Sequence, residues 1–279
     1  MKSTIKFKLA VLGLVAAAMP ALGLAKVVGY YEMCDGQGNA NQSSVITAAG
    51  QTAVNVLVPN AATLGGLDVL FVNNCSNGSY GEEYIANLAA IASAVQNQGL
   101  VLVIHDRYVT GASTILPGVI GVRETGVNNA VIDFPVGSPI LTGPGGTLTN
   151  ASLDGGNSSS HGYVATGTLP GGSQVLAHRT ATTEAVTFKY NWGAGQVIYS
   201  TIPLDFYLGG SSAFRSPYAV NVIAYAAGLG FTTCAAEKFV GAQLLLCQKI
   251  CEVDQQPAVL SALIYAYRTL YRKTPPCGL

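Results

Sequence analysis

Residues 64–107 constrain the fold of this chain more tightly than any other stretch. Residues 67–73 (LDVLFVN) are almost wholly apolar over the length of one strand, as expected of a strand buried on both faces. Residues 82–97 (EEYIANLAAIASAVQN) follow with Ile85, Leu88, Ala89, Ile91 and Val95 on an apolar face and acidic residues at the front, where a helix dipole favours them. Gly99 breaks this helix, and residues 100–104 (LVLVI) form another buried strand. Strand, crossover helix and buried strand specify a parallel sheet in an α/β domain.

The flanking segments extend that sheet. Residues 26–32 (KVVGYYE) and 53–58 (AVNVLV) read as strands, and residues 41–49 as a helix or an irregular turn. Between 117 and 172 Gly, Ser, Thr and Asn accumulate, which predicts long loops with one or two short strands. Strand patterns return at 173–177, 185–190 and 196–201, with a turn over 192–195, and residues 218–229 (YAVNVIAYAAGL) close the unit as a helix.

Residues 1–25 have another character. Lys2, Lys6 and Lys8 precede a short apolar run, and Gly23, Leu24 and Ala25 supply small residues for a peptidase. This is the pattern of a secretory signal peptide, too short to span a bilayer, and it predicts cleavage after Ala25 and an extracytoplasmic product, periplasmic or secreted. No membrane span is expected after cleavage. The chain carries 14 basic and 14 acidic residues, and loss of the three signal lysines leaves the mature part slightly acidic. That balance gives no footprint for nucleic acid or an anionic membrane.

Six cysteines behind an export signal read as three disulfides. Cys34 and Cys75 stand apart from the other four, which predicts one bridge between them and two within residues 231–279, Cys234 with Cys247 and Cys251 with Cys277. A zinc site is the competing reading of the tail, but no paired C-x-x-C knuckle is present. Residues 235–251 and 258–273 look helical, so the tail is expected to be a small disulfide-stapled helical appendage to a domain over 26–230.

In an open parallel sheet the ligand crevice lies outside the carboxyl ends of the strands. Glu32, Cys34 and Asp35, then Asn73, Asn74 and Cys75, then His105, Asp106 and Arg107 follow three such strands and are expected on one rim. Neighbours on a strand point oppositely, so His105 and Asp106 should not act together. An acid/base pair would join His105 to Asp205, Asp35 or Glu32. The plainer alternative has His105 bonded to loop backbone and Asp106 paired with Arg107. His161 follows Ser160, but no G-x-S-x-G is present, and His105, His161 and His178 lack a metal-ligand spacing. DGQGN at 35–39 and GPGG at 143–146 lack the lysine of a phosphate loop and read as turns. Tyr30, Tyr31, Tyr80, Tyr108, Trp192, Phe206 and Tyr207 fall near strand ends or turns, where exposed rings suit a carbohydrate surface and buried ones pack the sheet edge.

LGGLDVLFVNN, GLVLVIHDR and WGAGQVIYSTIPLDFYL together resemble the class I glutamine amidotransferase-like fold, whose sheet is flavodoxin-like. Gly99 to His105 and Gly193 to Ser200 are similar to segments of its non-amidotransferase, trehalose-utilisation-like branch. The resemblance covers roughly residues 26–230. It also shows departures: where an amidotransferase has a cysteine in a tight turn there is Ile104-His105-Asp106-Arg107, and where it has a histidine and a glutamate there is Pro203-Leu204-Asp205-Phe206. The expectation is therefore a flavodoxin-like α/β domain active in extracytoplasmic binding, of carbohydrate or another surface component, through Glu32, Asp35, Asn73, Asn74, Asp106, Arg107 and His161. The alternative is a hydrolase or other acid/base enzyme with His105 and Asp205 as catalytic residues. No cofactor or metal is expected, and a glycan or an exported protein is the expected partner.

Overall fold

The computed structural model of the protein describes residues 25–229 apart from Ile120 and Asn157, together with Leu246, Leu263, Ala266 and Leu270. The expected signal peptide up to residue 24, the expected tail helices and the two expected tail bridges lie outside the described residues.

The chain begins with β1 (Val27–Glu32), α1 (Ala40–Ala48), β2 (Thr52–Asn55), α2 (Ala61–Leu64) and β3 (Val69–Asn74). It continues through α3 (Glu82–Ala86), α4 (Leu88–Gln98), β4 (Val101–Asp106) and β5 (Glu124–Thr125). After β6 (Thr142–Gly143), β7 (Gly146–Thr147) and β8 (Tyr163–Ala165) come β9 (Gln174–His178), β10 (Glu184–Trp192) and β11 (Gly195–Ser200). α5 (Leu204–Tyr207) and α6 (Val220–Leu229) complete the described part.

Strands β2, β1, β3, β4 and β11 lie side by side in that order, and every pair among them is parallel. This is the flavodoxin-like strand order, in which the chain switches direction between β1 and β3. Beyond β11 the sheet turns antiparallel through β10, β8 and β5, and β9 also pairs with β10, making nine strands. Alternation sorts the apolar side chains into two layers. Val28, Phe71, Val103 and Ile198 face α1 and α6 in one, whereas Leu70, Leu102, Ile104 and Val197 join Ile91 and Val95 of α4 in the other.

Local chemistry sets the element ends. Asn39 caps α1: its Oδ1 accepts from the backbone N–H groups of Asn41 and Gln42, and Gln42 Oε1 accepts from the Asn39 N–H. The helix expected over 82–97 is two helices, because the Asn87 side chain donates to the Glu83 carbonyl at 2.9 Å and its backbone leaves helical geometry. Gly99 ends α4 with a left-handed φ of 77°. The GPGG segment is a tight turn between β6 and β7, held by Asn221 of α6, which accepts from the Gly145 N–H and donates to the Ile140 and Gly146 carbonyls. β2 stops at Asn55, short of the expected 58, whereas β4 runs two residues past 104, because Asn73 and Asn74 of β3 keep pairing with His105 and Asp106.

Candidate functional site

The longer β4 changes what its last residues can do. His105 pairs in register with Asn73 on one side and Ser200 on the other, and Glu32 pairs with Asn73. Glu32, Asn73, His105 and Ser200 therefore form one polar row across four strands, at the carboxyl end of an otherwise apolar face. His105 is buried beneath Tyr218, whose hydroxyl lies 3.2 Å from Nε2 and also meets Thr187 and Ser200. The rings of Phe71 and Tyr218 stand edge-on to it. Burial drives its pKa down from the ordinary 6.5 to about 3, so the ring is neutral at pH 7.

Asp106 points to the opposite face and is also fully buried. Its carboxylate accepts from the Tyr80 and Tyr199 hydroxyls at 2.8 Å each, from Asn74 Nδ2 at 3.0 Å and from the Tyr108 N–H at 2.9 Å. Four donors leave it little capacity for a ligand. The expected pairing of Asp106 with Arg107 is not formed. Arg107 instead leaves the sheet, donates from Nη1 to Asp205 Oδ2 at 2.7 Å and from Nε to Asn77 at 2.9 Å, and lies 5.9 Å over the Phe206 ring. Asp205 belongs to α5, and burial raises its pKa against the opposing charge and hydrogen bond of Arg107.

Arg107 and Phe206 border a cleft of about 540 Å³ that Tyr108, Asn128, His161 and Tyr207, among others, also line. That volume suits a small-molecule ligand. His161 is its one imidazole. Its Nδ1 lies 2.9 Å from the Arg107 carbonyl, which can only accept, so Nδ1 carries the proton and Nε2 keeps its lone pair. Burial lowers the His161 pKa, which favours that neutral form. The ring can thus accept a hydrogen bond or a proton from a molecule in the cleft.

The expected rim residues divide into three groups. Arg107 and His161 line the cleft, and Asp205 holds Arg107 in place. Asp35 and Asn74 line a second cleft of about 560 Å³ over the ends of β1 and β3, beside Cys34 and the acidic start of α3. The Cys34–Cys75 disulfide is formed and straps the β1 and β3 loops together at the switch point. Asn73 and His105 are buried, and Glu32 is half-buried with Oε1 accepting from Asn39. The expected pair of His105 with a carboxylate is not seen: Tyr218 is its hydrogen-bond partner, and Nδ1 has none among the described residues. Ser160 and His161 form no dyad, since the buried Ser160 Oγ accepts from Arg179. No group of three metal-ligating side chains occurs among the described residues. Of the aromatic residues, Tyr31 is core, while Tyr108, Phe206 and Tyr207 reach the cleft. Asn77, Asn128 and Ser158, also in its wall, come from loops whose composition carries no signal of their convergence.

No protein-family model and no curated protein matches the chain. Solved structures do. The cytoplasmic protein STM3548 of Salmonella typhimurium is 11% identical with a TM-score of 0.50, the match covering 73% of this chain and 98% of that one. The cytoplasmic protein STM1381 of Salmonella typhimurium LT2 is 12% identical with a TM-score of 0.50, covering 73% and 99%. The fold is flavodoxin-like α/β. At such identities the likeness concerns architecture alone. It is consistent with the amidotransferase-like resemblance of the sequence, while the amidotransferase thiol is lacking among the described residues, where Cys34 and Cys75 are bonded to each other.

Proposed function

We propose that the chain is an exported, non-amidotransferase α/β domain that binds a polar, carbohydrate-like ligand in the cleft beside Arg107 and His161. The observation that carries this reading is Phe206, an aromatic ring 66% exposed, next to a wall of hydrogen-bonding side chains. A sugar presents an apolar C–H face to such a ring and hydroxyls to Arg107, Asn128 and His161. The resemblance to the trehalose-utilisation-like branch points the same way. Export rests on the pattern of residues 1–25 and is supported by the disulfide, a bond of oxidising compartments.

Calorimetric titration of the mature, oxidised protein with a panel of mono- and disaccharides tests the reading. One sugar class is expected to bind, and Phe206→Ala and Arg107→Gln are each expected to weaken it about ten-fold or more. A panel that gives no binding, or binding that ignores both substitutions, overturns it.

A second reading, an acid/base enzyme, is favoured by the unprotonated Nε2 of His161, a geometry suited to a general base. His161 takes the role that the sequence suggests for His105. Turnover of the bound sugar that is lost in His161→Gln while binding persists supports it.

A further inference from the structure

Four polar atoms near the carboxyl ends of β3 and β4 are buried without a hydrogen-bond partner among the described residues: Asn73 Nδ2, Asn73 Oδ1, His105 Nδ1 and Asp205 Oδ1. Asn73 is 0% exposed, His105 1% and the Asp205 side chain 7%. Asn73 and His105 are register partners on adjacent strands, so their side chains stand together on the same face. α5 packs on β3 and β4 and brings Asp205 over those strand ends, with Oδ2 tied to Arg107. Unsatisfied buried polar atoms are individually rare and costly, and several at one place are rarer still.

We propose that Asn73, His105 and Asp205, none of which lines the open cleft, wall an internal hydroxyl-binding site. The atom set selects the ligand chemistry. Asn73 offers two N–H donors and a carbonyl acceptor, Asp205 offers an acceptor, and the His105 nitrogen takes either role according to its tautomer. A bare anion is repelled by Asp205, and a bare cation leaves the Asn73 amide hydrogens without an acceptor. A hydroxyl, donor and acceptor at one oxygen, can meet each of these groups in turn; serving both oxygen acceptors at once takes the two hydrogens of a water or two hydroxyls of a polyol. Water and a polyol are the two sources of such a hydroxyl, and buried water in protein interiors makes two to four bonds of this kind. The inference does not depend on what occupies the cleft.

NMR of the mature, disulfide-bonded protein labelled with ¹⁵N tests it. Cross-relaxation from the Asn73 side-chain amide protons to long-lived water is expected in the absence of any additive. If added erythritol or glucose abolishes those cross-peaks and shifts the Asn73 resonances, the site takes ligand hydroxyls; if they persist unchanged, its hydroxyls are water. Asn73→Leu, close in shape but unable to hydrogen-bond, provides a second measurement. A filled site predicts a lower melting temperature for the variant, because bonds are lost. No water cross-peak, no response to either polyol and a raised melting temperature in Asn73→Leu would overturn the proposal.

Discussion

His105 and Asp106 are neighbours that face opposite sides of the sheet, and they respond differently to change. The buried imidazole resists protonation, with a folded-state pKa of about 3 against an ordinary 6.5. Its contribution to stability is present in full above pH 6.5 and is lost as the pH falls towards 3, because the unfolded chain takes up the proton first. Denaturant titrations between pH 7 and pH 4 should show a component of slope up to about 1.4 kcal/mol per pH unit. His105→Gln should remove that component whatever it does to stability at pH 7. On the other face the Asp106 carboxylate depends on its donors. Tyr199→Phe deletes one buried 2.8 Å hydrogen bond to a carboxylate. It should lower the unfolding free energy by about 1.5–3 kcal/mol in urea at pH 7.

At the scale of elements, the loops at the β1/β3 switch point are joined by a covalent strap. Cys34 and Cys75 close a loop with a sequence separation of 41. The chain-entropy account gives about 4 kcal/mol for a loop of that length. The Cys34→Ser, Cys75→Ser double variant should therefore unfold at markedly lower denaturant concentration than the oxidised protein. The end of α4 rests on a smaller effect. Gly99 has φ at 77°, a backbone conformation that an L side chain opposes. Gly99→Ala should cost about 1 kcal/mol, read from the shift of the unfolding midpoint. The break at Asn87 shows how one side chain can divide a helix that apolar spacing alone presents as continuous.

Over the whole molecule, stability should be graded from the middle of the sheet outwards. β3 and β4 are buried at every residue and paired on both sides, whereas β6 and β7 form a two-residue hairpin apart from the main sheet. Hydrogen exchange should protect the amides of β3, β4 and β11 longest and release those of β6 and β7 earliest. Equal protection across both sheets would contradict this ordering. The clefts lie at the carboxyl end of the same central strands. The strands expected to be best protected thus carry the loops that form the clefts, as a positioned binding site requires.

The sequence by itself determined the parallel unit, since a wholly apolar strand, an amphipathic helix and a second apolar strand leave few other ways to bury their surfaces. It also pointed to the Cys34–Cys75 bridge, because those two cysteines stand apart from the other four. Tertiary structure decided which polar residues face solvent. His105 and Arg107 are two apart in one polar stretch, yet register with Asn73 and Ser200 holds His105 under Tyr218, while Arg107 leaves the ladder for Asp205. The cleft wall draws on residues as distant as Asn77, Asn128, His161 and Phe206. Periodicity reports the face of a local element, whereas convergence of loops depends on where a folded sheet carries their ends, so only the tertiary structure could bring that wall together.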